Sequence, residues 1–152
     1  MQLLDQDFED DYLLIGIHST EEDYRLAYLL NKHLNIQLTR YKENLDFKGE
    51  EAEFPLFEYL DKQNYINYYL INNKCSKLAQ DQNNIGLFGG NYQTYDYLIP
   101  EKKKIDFFVK IEGCNRPNFA RTLVDQLNNI NQIITSFTID TNLLKSKNNL
   151  IF

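Results

Sequence analysis

The sequence predicts an α+β fold. The expected form is a two-layer sandwich, a mainly antiparallel sheet with two helices on one face, built from two β-α-β-like units joined by a hairpin. Three observations carry this prediction. Two apolar runs, DYLLIGIHS (11–19) and IDFFVKIE (105–112), are each followed by a segment with apolar residues at helical spacing. These strand–helix segments superpose without gaps, 13–30 on 107–124, so that LLIGI meets FFVKI. Between them lies the pattern of a short-turn hairpin, which favours antiparallel pairing. The chain has 152 residues, 43% of them hydrophobic, which suits a single domain over 1–152 with a sizeable core.

Taken in order, DYLLIGIHS is a near-continuous apolar run with a β-branched centre and reads as a buried strand. In STEEDYRLAYLLNKHLN, Ser19 or Thr20 is the expected helix cap. Glu21, Glu22 and Asp23 suit the positive first turn, and Leu26, Leu29, Leu30 and Leu34 share one face. IQLTRYKENL returns to alternation and closes the first unit. FKGEEAEF is a charged connector, and FPLFEYLDKQNYINYYLINN reads as a hairpin turning at Asp61 to Asn64. Pro55 favours an edge position or a strand start.

NKCSKLAQDQNNIGLFGGNYQ, rich in Asn, Gln and Gly, reads as a long loop with a short element over 85–88. YDYLIP then reads as a strand end, EKKK as a turn opened by Pro100, and IDFFVKIE as the returning strand. In CNRPNFARTLVDQLNNI, Asn115 is the expected cap and Pro117 sits in the first turn. Phe119, Leu123, Val124 and Leu127 give that helix its apolar face. INQIITSFTIDT is a further strand, and NLLKSKNNLIF reads as an edge strand or a loose end.

Composition narrows the function classes. The formal net charge of −6 disfavours a nucleic-acid partner, which needs a surplus of Lys and Arg. The charge is uneven: residues 1–60 carry 14 acids and 5 bases, while 61–152 carry 8 acids and 11 bases. MQLLDQDFEDDYLL is acidic without a long apolar core, so a secretory signal is not expected. No stretch approaches the roughly 18 apolar residues of a membrane span. Cys75 and Cys114 form no metal or redox motif. A cytoplasmic protein without cofactor or metal is the expectation.

Few residues carry chemistry. His18 and His33 are not at metal-ligand spacing on one element. Cys114 falls between a strand-ending glycine and a helix start, where a thiol would feel the helix dipole. His18 is its candidate base if both strand–helix corners lie at one end of the sheet. GLFGG (86–90) lacks the phosphate-loop pattern. Tyr65 and Tyr69 share one face of a strand by the period of two, with Tyr68 beside them. Exposed aromatics on a sheet are how some RNA-binding sheets stack bases, but half-buried strand tyrosines are the plainer reading. Lys102, Lys103 and Lys104 read as a solvated turn with a positive tip.

IPEKKKIDF (99–107) resembles the signature of a bacterial family named after its own motif, the IPExxxVDY family. Ile99, Pro100 and Glu101 match, three free positions follow, Ile105 stands for Val, Asp106 matches, and Phe107 stands for Tyr. The loss of the Tyr hydroxyl at Phe107 removes any hydrogen bond it would make. The resemblance implies a family of unknown role and carries over no catalytic or ligand residue. In the residues themselves, Pro100 fixes a corner and Glu101 accepts backbone N–H bonds or pairs with a lysine. If Ile105, Phe107, Val109 and Ile111 face the core, Asp106 faces the other side and needs a partner wherever it is buried. Functionally, Glu101 and Asp106 would instead form a paired acidic site.

These readings lead to a non-catalytic interaction or regulatory domain. Its partner would be another protein or a second copy, through sheet or helix pairing. An RNA- or ribosome-associated binding module is the alternative. An enzyme using the acid pair or Cys114 with His18 is a further alternative.

Overall fold

A computed structural model describes residues 12–42, 45–46, 53–80, 91–114 and 116–152. Its principal sheet has six strands. They are Tyr12–His18 (β1), Thr39–Arg40 (β2), Leu56–Asp61 (β5), Ile66–Asn72 (β6), Phe107–Glu112 (β9) and Thr135–Thr138 (β10). Two two-stranded pairs accompany it, Leu45–Asp46 (β3) with Glu53–Phe54 (β4), and Lys74–Gln80 (β7) with Asn91–Tyr97 (β8). The two helices among the described residues are Asp23–Leu34 (α1) and Phe119–Asn128 (α2).

The order across the main sheet is β10-β1-β9-β6-β5-β2, and every neighbouring pair is antiparallel. β9 and β10 therefore run parallel with β1 between them, which makes β9-α2-β10 a split β-α-β unit. β1-α1-β2 is the wider counterpart and spans three strands. The α+β class, the antiparallel sheet and the intervening β5–β6 hairpin are those expected from the sequence.

Both faces of the sheet are buried. On one, Leu26, Leu29 and Leu30 of α1 and Leu123 and Leu127 of α2 pack on Ile15, Ile17, Leu70, Phe107, Val109 and Ile111. The apolar stripes read from the sequence thus sit against one sheet face. On the other, Leu14, Leu56, Ile71 and Phe108 meet Phe54 of β4 together with Leu98, Ile99, Ile105, Leu144 and Leu150, which belong to connectors and the C-terminal segment. Each such fully buried aliphatic or aromatic side chain contributes roughly 1.5–3 kcal/mol.

Several local expectations are corrected. α1 begins at Asp23 with Glu22 as N-cap, and no side chain caps it. Ser19 is instead buried, donating from Oγ to the Gln132 carbonyl at 2.8 Å and accepting the Glu21 N–H at 3.2 Å. The strand read over IQLTRYKENL shrinks to Thr39–Arg40, paired with Glu58 and Phe57 of β5, and the Tyr41 N–H adds a bond to the Leu56 carbonyl at 2.8 Å. The stretch read as a long loop (73–93) holds β7 and the first three residues of β8, whose seven paired positions override weak strand propensity. GLFGG, the element expected over 85–88, Asn115 and residues 47–52 of the charged connector (47–54) lie outside the described residues, and the connector's last two residues form β4. Pro117 precedes α2, whose N-cap is Asn118 in a left-handed conformation (φ 65°).

The expected hairpin turn at Asp61 to Asn64 forms. The Asp61 carboxylate accepts from the Asn64 backbone N–H at 3.2 Å and from Asn64 Nδ2 at 2.8 Å. Tyr65 closes that turn at φ 58° and is not on the strand, so it shares no sheet face with Tyr69. Tyr68 stacks on Tyr59 at 5.8 Å beside the helix-side core, and Tyr69 lies on the opposite face.

The C-terminal segment is docked, not loose. It forms short 3-10 turns at Thr141–Leu143 and Lys147–Leu150, and Leu144 and Leu150 are buried on the second face.

Candidate functional site

The corner at 98–107 is built from its own sequence. Leu98 and Ile99 are fully buried and leave the β8 direction to reach the second face. Pro100 opens a 3-10 turn in which the Lys102 N–H donates to the Ile99 carbonyl at 2.9 Å. β8 pairs with β7 and not with β9, so the corner joins two sheets and is not the hairpin tip that the sequence suggested. Ile105 then buries on the second face, whereas Phe107 turns to the helix side. Phe107 ends in that apolar cluster, which accommodates the missing hydroxyl.

One residue the sequence reading passed over holds the corner together. Asn73 is fully buried. Its Nδ2 donates to the carbonyls of Lys102 and Ile105, each at 2.8 Å, and its Oδ1 accepts the Ile99 N–H at 2.8 Å. Its backbone N–H donates to the Asp106 carbonyl at 3.0 Å, and its carbonyl accepts the Leu98 N–H at 2.8 Å. The side chain imitates a strand for a segment that has left the sheet. The Asn-Asn step at 72–73, after an apolar strand, was the available signal, and it reads equally as an ordinary turn.

The two acids of the motif serve different segments. Asp106 Oδ2 accepts the Ser19 N–H at 2.9 Å and lies 3.8 Å from His18 Nδ1. It joins the end of β1 to the start of β9. Glu101 Oε2 accepts the N–H groups of Lys145 and Ser146 at 2.6 and 2.8 Å. Desolvation opposes ionisation of Glu101. Hydrogen bonds from its own backbone, Ser146 and Lys145 outweigh that and hold its carboxyl below the usual range. Each acid is thus spent on backbone N–H groups, and the paired acidic site of the sequence reading is not assembled.

Nor do Cys114 and His18 meet. The β1–β9 register pairs Tyr12 with Glu112 and Ile17 with Phe107. His18 therefore lies past one end of the pair and Cys114 past the other: six register steps, about 20 Å at roughly 3.4 Å per residue, already separate His18 from Glu112, and Cys114 lies beyond Glu112. The expectation of a common end assumed neighbouring units running alike, and antiparallel pairing reverses one of them. Cys114 packs beside the helix-side core, and His33 sits in the last turn of α1. Among the described residues no group of His, Cys, Asp and Glu is placed to hold a metal, and no helix is long and apolar enough to cross a membrane.

Lys110 is the second residue the sequence reading missed. It is 3% exposed at the centre of β9. Its Nζ donates to the Leu150 carbonyl at 2.6 Å and lies 3.4 Å from Glu112 Oε2. The ammonium also sits 4.3 Å from the ring centre of Phe152 and 4.9 Å from that of Tyr12. The Tyr69 ring meets Phe152 edge-on at 5.1 Å. Burial, and then the neighbouring Glu112 carboxylate, push the Tyr69 hydroxyl up to about 12. A single lysine in a strand with two buried faces was the sequence signal for this clasp.

Outside the corner lies a cleft of about 490 Å³. Ile105 and Pro100 line it with Phe137, which is 38% exposed. Lys102, Lys103 and Lys104, all exposed, also line it. Half-buried His18 closes one side, its ring 5.7 Å from that of Phe137. Among the described residues, Glu101 contributes the one carboxylate of the lining, already engaged by Lys145 and Ser146.

Compared with known proteins, the chain matches no family model, no curated protein and no solved structure.

Proposed function

We propose that this chain is a non-catalytic interaction domain that binds another protein chain through the cleft beside its Ile-Pro-Glu corner. The observation that carries this reading is the composition of that cleft. Three consecutive exposed lysines line it together with Ile105, Pro100 and Phe137, in a protein whose net charge is −6. Exposed Pro100 and partly exposed Phe137, beside fixed charge and over buried Ile105, suit recognition of a macromolecular surface.

The resemblance to the IPExxxVDY motif supports kinship with that family as part of the same proposal. At the motif positions, Ile99, Ile105 (in place of Val), Glu101 and Asp106 bury apolar surface or bind backbone N–H groups, and Pro100 starts the turn. The three free positions are the exposed lysines. The motif then describes a corner, and the cleft chemistry belongs to this particular chain.

A second reading, single-stranded nucleic acid, draws on one further feature. Lys74 lies 3.8 Å from the ring centre of Tyr95, and Lys103 lies 5.5 Å from that of Tyr97, on one side of β8. The overall acidity opposes it.

The test is affinity capture of the full chain at native expression, with and without nuclease, followed by reconstitution from purified components. A captured protein that survives nuclease and re-forms a stoichiometric complex supports the first reading. A complex that dissolves with nuclease supports the second. A metabolite found by thermal-shift screening and turned over by the chain sinks both.

A further inference from the structure

Resting on that reading, we infer that the partner element is an acidic protein segment carrying one large apolar side chain, seated in the cleft by side-chain contacts and not added as a strand. Two arrangements point to this occupant. The first is the pairing of charge with apolar surface. Lys102 and Lys104 are exposed on the cleft, while Ile105 is buried beneath it and Phe137 is partly open. Lys103 leans over the Tyr97 ring, so Lys102 and Lys104 are the lysines without that tie. Carboxylates on the partner would meet these ammonium groups as a partner aromatic or aliphatic side chain covers Phe137. Glu101 and Asp106 also face this corner, but both are engaged by backbone N–H groups.

The second arrangement concerns β10, an edge strand of the sheet and the strand that carries Phe137. An open edge would invite a peptide to add as a further strand. Here the α2 side chain of Asn128 occupies the edge. Its Oδ1 accepts the Ser136 N–H at 2.8 Å, and its Nδ2 donates to the Ser136 carbonyl at 3.4 Å. The Ser136 hydroxyl donates to Asn128 Oδ1 at 3.0 Å as well. The backbone groups that an added seventh strand needs at the middle of β10 are therefore filled, and side-chain docking beside them is what remains. The apolar part of the lining, Pro100, Ile105 and Phe137, is matched by an apolar side chain and not by a phosphate backbone, so a protein segment is favoured.

The probe is a fluorescent synthetic peptide, Glu-Glu-Asp-Phe-Glu-Asp-Glu, titrated with the full chain and read by anisotropy. Three controls accompany it: the same peptide with alanine for phenylalanine, its Gln/Asn counterpart, and a single-stranded uridine oligonucleotide. Binding is expected to weaken about tenfold in Lys102→Glu/Lys104→Glu and to fall with salt, from two reversed charges at a partly exposed site. It should also weaken severalfold when the peptide loses its ring. Melting temperatures should be unchanged in the lysine variant, whose substituted side chains are exposed, which separates lost binding from lost fold. Phe137→Trp, which keeps an aromatic surface, should retain binding.

Equal binding by the lysine variant, equal binding of the neutral peptide, or preferential binding of the oligonucleotide would overturn the inference. Failure of the peptide together with a captured protein that still binds Lys102→Glu/Lys104→Glu would refute the inference and leave an interaction domain with another surface. Failure of the peptide with no nuclease-resistant partner would refute both.

Discussion

Replacing Asn73 tests the corner directly. Asn73→Ala removes one acceptor and two donors from a site with no solvent access. The Ile99 N–H, itself on a fully buried residue, loses its partner, and so does one bond to the Ile105 carbonyl. The Lys102 carbonyl keeps the Ile105 N–H at 3.1 Å. Two buried groups left unpaired, at about 1–3 kcal/mol each, imply a loss of roughly 2–6 kcal/mol, a large part of the ~5–15 kcal/mol that holds a typical domain. Urea unfolding followed by circular dichroism is the suitable assay, because the chain has no Trp.

Asn73→Asp sharpens the test. The isosteric carboxylate keeps the acceptor for Ile99 but turns an oxygen toward two carbonyls. Its folded-state pKa is therefore raised, so stability should be lowest at neutral pH and recover on acidification, when the neutral acid can donate one hydrogen bond. A loss below about 1 kcal/mol in Asn73→Ala, on the scale of an exposed hydrogen bond, or an acid response of opposite sign in Asn73→Asp, would refute the reasoning.

Three further outcomes follow from the same structure. Glu101→Gln should cost about 0.5–1 kcal/mol after allowance for solvent screening. The Glu101 carboxyl is held below the usual carboxylate range, so its contribution is present above that range and disappears as pH falls through the lower folded-state pKa. Melting temperatures of wild type and Glu101→Gln should therefore converge in acid. Lys110→Met should cost about 1–2 kcal/mol, the lost charged hydrogen bond being offset in part by removing a buried charge. Amide exchange should quicken over residues 141–152 more than in β9. Gly113→Ala should cost about 2–4 kcal/mol in chemical denaturation. Gly113 sits at φ 86°, and an added Cβ would lie 2.2 Å from the Tyr65 carbonyl oxygen.

The architecture was legible because its signals are periodic. Leu26, Leu29 and Leu30, or Leu123 and Leu127, declare a helix face, and the run from Phe107 to Ile111 declares a strand buried on both sides. Asp61 and Asn64 declared their turn through side-chain chemistry that acts over three residues. The β7–β8 pairing was hidden because Lys74 to Gln80 has little strand character, and its order comes from a partner far along the chain. The site was less legible for the same reason. Asn73 reaches residues 26 to 32 positions away, Glu101 reaches 44 and 45 away, and Lys110 reaches 40 away. No local pattern encodes such distances. The error over Cys114 and His18 was one of strand direction, which two similar strand–helix segments leave open.

The central claim is a division of labour within nine residues: the motif positions build the corner and the free positions bind. The most direct measurement follows melting temperature and binding of the acidic phenylalanine peptide in parallel for Asp106→Asn and Lys102→Glu/Lys104→Glu. The account predicts that Asp106→Asn melts lower with unchanged affinity at a temperature where it is folded, because the Ser19 N–H loses a charged acceptor. It predicts that the lysine variant melts as wild type and binds about tenfold more weakly. The reverse pattern, with affinity lost in Asp106→Asn and kept in the lysine variant, would contradict it.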